Sequence, residues 1–318
     1  MATVLILGAG TSIDYGYPSG LVLVDMIKER LRTSSEQTDR DLLVDLKDRK
    51  PYSIDAFLHE FPKHDRVAKS AIAEILYECE EPEVELPASR DFYRFLFQNI
   101  SEAEFSNFKI ITFNYDRSLE YFWARSLRPS KGSLSEAYKS LSAVEIIHIH
   151  GRLSALPDEA NGPLLKRERE QLAYGSCRNL GSTQPPDLVI GRPKPSPEQH
   201  REFMLERKRT LWQHGQSSFK TVYENNEVHG RAKEILSLSN RLIFLGFGYH
   251  ELNMKLLGLD WTVHKAGYYI TGTSMGMSPV DLAINRQRFP TVRFRENCSA
   301  IEIFQKHISL TDPNVDLP

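Results

Sequence analysis

In the stretch HIHG, His148 and His150 stand two apart on an apolar run and Gly151 follows at once. A histidine at the carboxyl end of a strand, beside a glycine, suits general-base work, because imidazole changes charge near neutral pH. His150 is the better placed of the two, being last before the turn; the plain alternative for either ring is a satisfied core histidine. A metal centre is disfavoured, since no third ligand is spaced nearby.

A second polar cluster closes the run FKIITFNYD, where Thr112, Asn114 and Asp116 alternate. Residues two apart share one face of a strand, so the three point the same way while the strand persists. Asn and Asp are disfavoured inside strands and need partners there. Capping of the following helix explains Asp116 well and Asn114 less well.

Glycine turns make up the rest. VLILGAGTSI runs an apolar segment into Gly8-Ala9-Gly10-Thr11-Ser12-Ile13, two glycines of a dinucleotide turn with Ile13 where the third would stand. Such a turn bends sharply and lets the backbone approach a pyrophosphate at a helix N-terminus. Ile13 and the lack of an acidic residue closing a second strand about twenty residues on count against a dehydrogenase. DYGYPSG, with Gly16, Pro18 and Gly20, reads as a lid or merely a loop. LGFGYHELN ends another apolar run with Gly246 and Gly248; Tyr249, His250 and Asn253 behind it carry no assigned role.

The elements that must position these residues follow from periodicity. Val4–Leu7, Phe108–Asp116, Val144–Gly151, Arg241–His250 and Gly267–Gly272 read as strands. Leu21, Val24, Ile27 and Leu31 give a helical stripe after the first loop. Ser53 caps a helix whose apolar face is Ile54, Phe57, Leu58 and Phe61, and Ala68–Glu78 and Phe92–Ile100 continue in helical periods. About eighty residues of helix thus separate the first two strands, too many for a simple crossover, and form a helical insertion at about 34–105. The expected fold is α/β, a Rossmann-like parallel sheet in a single domain spanning 1–318, with ligands at the carboxyl ends of its strands.

Composition narrows the classes. The chain has 318 residues, 41% hydrophobic and 26% charged, with a formal net charge of -2, which gives no reason to expect nucleic-acid or membrane binding. No apolar run reaches the roughly 20 residues of a membrane span and no signal peptide is evident, so a cytoplasmic protein is expected. Cys79, Cys177 and Cys298 are scattered and form no C-x-x-C pair, against both a disulfide framework and a four-cysteine zinc module. The prolines of PPDLVIGRPKPSPEQ mark irregular loop, and Arg201–Arg209 is a basic helical stretch.

Taken in order, these pieces resemble the sirtuin superfamily. Its G-A-G-x-S, G-x-P, T-x-N-x-D and H-G motifs and its glycine-containing turn match Gly8-Ala9-Gly10-Thr11-Ser12, Gly16-Tyr17-Pro18, Thr112 to Asp116, His150-Gly151 and Leu245 to Gly248. The resemblance covers Met1 to about Thr33 and Phe105 to about Gly272. It departs from protein-deacetylating sirtuins in lacking the zinc module and in having Ser19 and Gly20 where an arginine follows Pro18. The zinc-free pattern, with SIDAFL and LGFGYHELN, is similar to a divergent bacterial branch of NAD+ hydrolases in antiphage defence, often triggered by a partner or by filament-like assembly. The resemblance implies catalysis by Asn114 and His150. It also implies NAD+ as substrate, held by Gly8, Ala9, Gly10, Ser12, Gly16, Pro18, Thr112, Asn114, Asp116, Gly246 and Gly248, with no metal. A homo-oligomer and a gating partner, such as an ATPase or a nucleic-acid-guided protein, are further expectations. The helical insertion and Arg201–Arg209 are candidate contact surfaces. An NAD+ or ADP-ribose sensor controlling a partner, and a protein deacylase, are the alternatives.

Overall fold

A computed structural model describes residues 3–80, 86–153, 226–261 and 268–310. Six strands form one all-parallel sheet in the order β3-β2-β1-β4-β5-β6: β1 Thr3–Leu7, β2 Phe108–Thr112, β3 Glu145–His148, β4 Arg241–Leu245, β5 Tyr269–Thr273 and β6 Arg293–Arg295. This is the doubly wound, Rossmann-like order, and its direction reverses between β1 and β4. The register aligns the carboxyl ends. Leu7 pairs with Thr112 on one side and Leu245 on the other, and Thr112 pairs with His148. The segments beginning Gly8, Phe113, Ile149 and Gly246 therefore leave the sheet side by side along one edge.

Every residue of β1 is buried, as a strand covered on both faces requires. Leu5 and Leu7 pack on one face with the helices between β1 and β2, which are α1 Gly20–Leu31, α2 Gln37–Arg49, α3 Ile54–Glu60, α4 Asp65–Cys79 and α5 Phe92–Asn99. Also on that face are α6 Ser118–Lys131 and α7 Leu134–Leu141. Val4 and Ile6 meet α8 Asn226–Leu238, α9 Glu251–Leu256 and α10 Pro279–Arg288 on the other face. The two-residue alternation of β1 thus divides two cores.

The α3 cap is as expected: the Ser53 hydroxyl accepts the Ala56 amide at 3.2 Å, and Ile54, Phe57 and Leu58 are buried. Such a cap contributes about 1 kcal/mol. Several boundaries are corrected. β2 stops at Thr112 and not at Asp116, β3 at His148 and not at Gly151, and β4 at Leu245 and not at His250, while β5 spans Tyr269–Thr273. In α1, Leu23 is buried and Leu21 is exposed. The short edge strand β6 gave no apolar run to read. The proline-rich stretch, Cys177 and Arg201–Arg209 lie outside the described residues. Among the described residues, no helix is long and apolar enough to cross a membrane.

Candidate functional site

The loop after β1 makes two 3₁₀ turns, Ala9–Thr11 and Ile13–Tyr15, before α1 begins at Gly20. The expected turn running directly onto a helix N-terminus is therefore not formed. The Gly8 and Gly10 amides instead donate to the Leu245 and Gly246 carbonyls at 3.0 and 2.9 Å. The two glycine turns interlock at the point where strand order reverses. A Cβ on Gly8 would lie 2.6 Å from the Gly246 oxygen, one on Gly10 2.7 Å from the Gly246 Cα, and one on Gly246 2.5 Å from the Thr11 nitrogen. Packing of loop on loop, more than backbone approach to a phosphate, requires these glycines. Ile13 is 49% exposed and packs on no strand. Ala9 and Pro18 are half-buried, and Gly16 closes the second turn at φ 93°. DYGYPSG is pinned, not open: Tyr15 and Tyr17 are buried, Tyr15 donates to Asp91 at 2.7 Å, and Asp14 pairs with Arg90. Gly248 is exposed beside the His250 ring.

Asn114 joins β2 to this loop. The Thr112 hydroxyl accepts the Asn114 amide at 3.0 Å, which turns the chain out of the sheet. The Asn114 side-chain nitrogen then donates to the hydroxyls of Thr11 and Ser12, each at 3.1 Å. Ser12 in turn shares a 3.0 Å hydrogen bond with the Tyr93 hydroxyl from α5. Burial holds the Tyr93 phenol above its usual range, so it stays protonated. The other end of the amide, Asn114 Oδ1, is buried and has no hydrogen-bond partner among the described residues. Asp116 accepts the Ser118 amide at 3.0 Å at the start of α6. Thr112, Asn114 and Asp116 thus do not share a strand face.

The two histidines separate by role. His148 Nδ1 donates to the Asn114 carbonyl at 3.1 Å, and its Nε2 lies 3.0 Å from Glu120, which pairs with Arg117 at 2.9 Å. Burial raises the Glu120 carboxyl, but Arg117 and His148 outweigh it and hold the group well below the usual carboxylate range. His150, two residues past the Thr112–His148 pair, is 2% exposed and keeps Nε2 without a hydrogen-bond partner among the described residues. Its Nδ1 lies 3.9 Å from Asp55 Oδ1, and its ring packs against Phe113 and Tyr115 at centroid distances of 5.5 and 6.0 Å. The backbone continues this pairing past the strands, with Ile149 donating to Thr112 at 2.9 Å and Leu153 to Tyr115 at 2.6 Å.

Four neighbours were missed in the sequence. Asp55 stands in the first turn of α3, where an acid reads as a partner for the helix dipole. Tyr93 is one aromatic among several in α5. His229 of α8 shares a buried face with Ala232 and Leu236, a helical spacing that marks it as inward-facing. Its ring donates to the Ile149 carbonyl, and burial, with His150 nearby, keeps it below the usual imidazole range. Tyr52 stacks on His250 at 4.1 Å, joining the insertion to the loop after β4. Tyr249 is structural, donating to the Thr273 carbonyl at 3.1 Å.

The chain matches no protein-family model and no curated protein. Function rests on the geometry: two buried polar side chains, Asn114 and His150, each with one unpartnered atom at the carboxyl edge of a doubly wound sheet.

Proposed function

We propose that the chain is an NAD+ glycohydrolase, releasing nicotinamide and ADP-ribose, with Asn114 and His150 as its catalytic residues. The observation that carries this reading is the pair of buried, unpartnered atoms, Asn114 Oδ1 and His150 Nε2, two residues beyond adjacent strand ends. A buried acceptor without a partner is costly unless a ligand supplies the donor. Cleavage of the nicotinamide–ribose bond fits those needs. The C1′–N bond breaks and its electron pair leaves with nicotinamide, which thereby loses its positive charge and needs no general acid. The water oxygen bonds to C1′, and the water proton passes to a base. Asn114, its nitrogen already held by Thr11 and Ser12, offers only an acceptor, for a ribose hydroxyl or the water. His150 Nε2 takes the proton and returns it to solvent.

The glycine turns of β1 and β4, with Ala9, Gly16, Pro18 and Gly248 around them, form the floor on which the nucleotide would rest, as in other sheets of this order. Since the Gly8, Gly10, Thr11 and Ser12 amides already serve neighbouring carbonyls, hydroxyls carry more of the recognition than in a dehydrogenase turn. Unchecked NAD+ hydrolysis would deplete the host cell, so the proposal includes gating by self-assembly or by a partner protein, in keeping with an antiphage effector. The test is nicotinamide release by the purified chain. Asn114→Ala and His150→Ala should each lose roughly 10²-fold or more while remaining folded. Tight NAD+ binding without turnover under every assembly condition would replace the enzyme with a sensor.

A further inference from the structure

The helical insertion delivers a carboxylate to the base. We propose that Asp55, in the first turn of α3, is a positioning residue for His150, holding Nδ1 protonated so that Nε2 faces the reacting water as an acceptor. This rests on the reading of His150 as the base.

Three observations carry it. First, Asp55 Oδ1 lies 3.9 Å from His150 Nδ1, within ion-pair range, while His150 Nε2 has no hydrogen-bond partner among the described residues. Catalytic contacts are commonly long before substrate binds and tighten in the complex. Second, the carboxylate is itself aimed. The Tyr115 hydroxyl donates to the same oxygen, and Tyr115 is the neighbour of Asn114, so one residue ties the insertion to the catalytic segment. Burial, with Asp55 beside it, raises the Tyr115 phenol well above its ordinary value, so it serves only as a donor here. Third, the ring has little freedom to present its nitrogens otherwise, held between Phe113 and Tyr115. His148 is committed through both ring nitrogens to Asn114 and Glu120, and one His229 nitrogen to the Ile149 carbonyl.

The chemistry is that of an oriented base. A carboxylate at Nδ1 selects one tautomer and stabilises the imidazolium that forms when Nε2 takes the water proton; the carboxylate itself does not change protonation state. It also gives the insertion a function: a contact that shifts α3 would uncouple the base.

The test compares the full-length chain with Asp55→Ala and Asp55→Asn. Ring ¹⁵N shifts of His150, assigned by their loss in His150→Gln, are read at about pH 8, where imidazoles are neutral. The native chain should carry its proton on Nδ1, and Asp55→Ala should lose that preference. In nicotinamide release, Asp55→Ala should lose roughly tenfold to a hundredfold in kcat with KM within about twofold, since only part of the general-base contribution is removed. Asp55→Asn retains an acceptor for Tyr115 and carries the comparison if Asp55→Ala fails to fold; without the negative charge it should still lose kcat. A native ring protonated on Nε2, or variants with unchanged tautomer and kcat, would overturn the inference. A native chain that releases no nicotinamide under any assembly condition would overturn the proposed function, and the tautomer comparison would still decide the Asp55–His150 pairing.

Discussion

Replacing Gly246 by alanine tests whether the β1 and β4 turns serve each other. Gly246 sits at φ 56°, where an alanine costs about 1–2 kcal/mol. Its Cβ would stand 2.5 Å from the Thr11 nitrogen and 2.6 Å from the Gly10 carbonyl carbon, both backbone atoms that cannot swing aside. Forcing the loops apart adds overpacking strain of about 1–3 kcal/mol. The sum is about 2–5 kcal/mol, or a fall in Tm of roughly 4–10 °C at about 2 °C per kcal/mol for a chain this size. Gly248→Ala is the control in the same motif. The nearest atoms its Cβ would meet belong to the His250 side chain, at 3.0 Å, and it should change stability by less than about 1 kcal/mol. Thermal melts of both variants, with NAD+ titrations, give the comparison. Equal melting of the two variants would refute the interlocked-turn account.

The polar supports make two further predictions. Glu120→Gln removes the charge that Arg117 and His148 share and should cost about 1–3 kcal/mol in urea unfolding near neutral pH. Because the folded carboxyl titrates below its unfolded value of 4.5, its contribution is full above that pH and is lost as pH falls below it, so the native chain should show a steeper acid loss there than the variant; parallel profiles would count against the pair. Tyr93→Phe removes the hydrogen bond to Ser12 and should cost about 1 kcal/mol in the same assay. It should also lower nicotinamide release, because Ser12 helps hold Asn114; unchanged release would detach α5 from the site.

The strands were legible where burial on both faces writes a continuous apolar run, as in Val4–Leu7 and Leu242–Leu245. Their ends were not. β2 stops at Thr112 because a side-chain hydroxyl captures the Asn114 amide, and β4 stops at Leu245 because Gly246 turns left-handed, events that hydropathy does not record. β6 offers one buried residue, Phe294, in three. Asn114 and His150 stood out because polar residues closed apolar runs. Asp55 and Tyr93 did not, since they lie 60 and 81 residues away in sequence from Tyr115 and Ser12 and only folding sets them side by side. The interlock of the Gly8 and Gly10 amides with the carbonyls of the β4 turn was not legible, since it joins segments far apart in sequence.

Asn114 and His150 are proposed to act together on a bound nucleotide. The most direct measurement is nicotinamide release from NAD+ by the purified chain over a range of protein concentrations, beside His150→Ala and Asn114→Ala. Release should be matched by equal ADP-ribose and fall roughly 10²-fold or more in each folded variant. Undiminished release in both variants would contradict it.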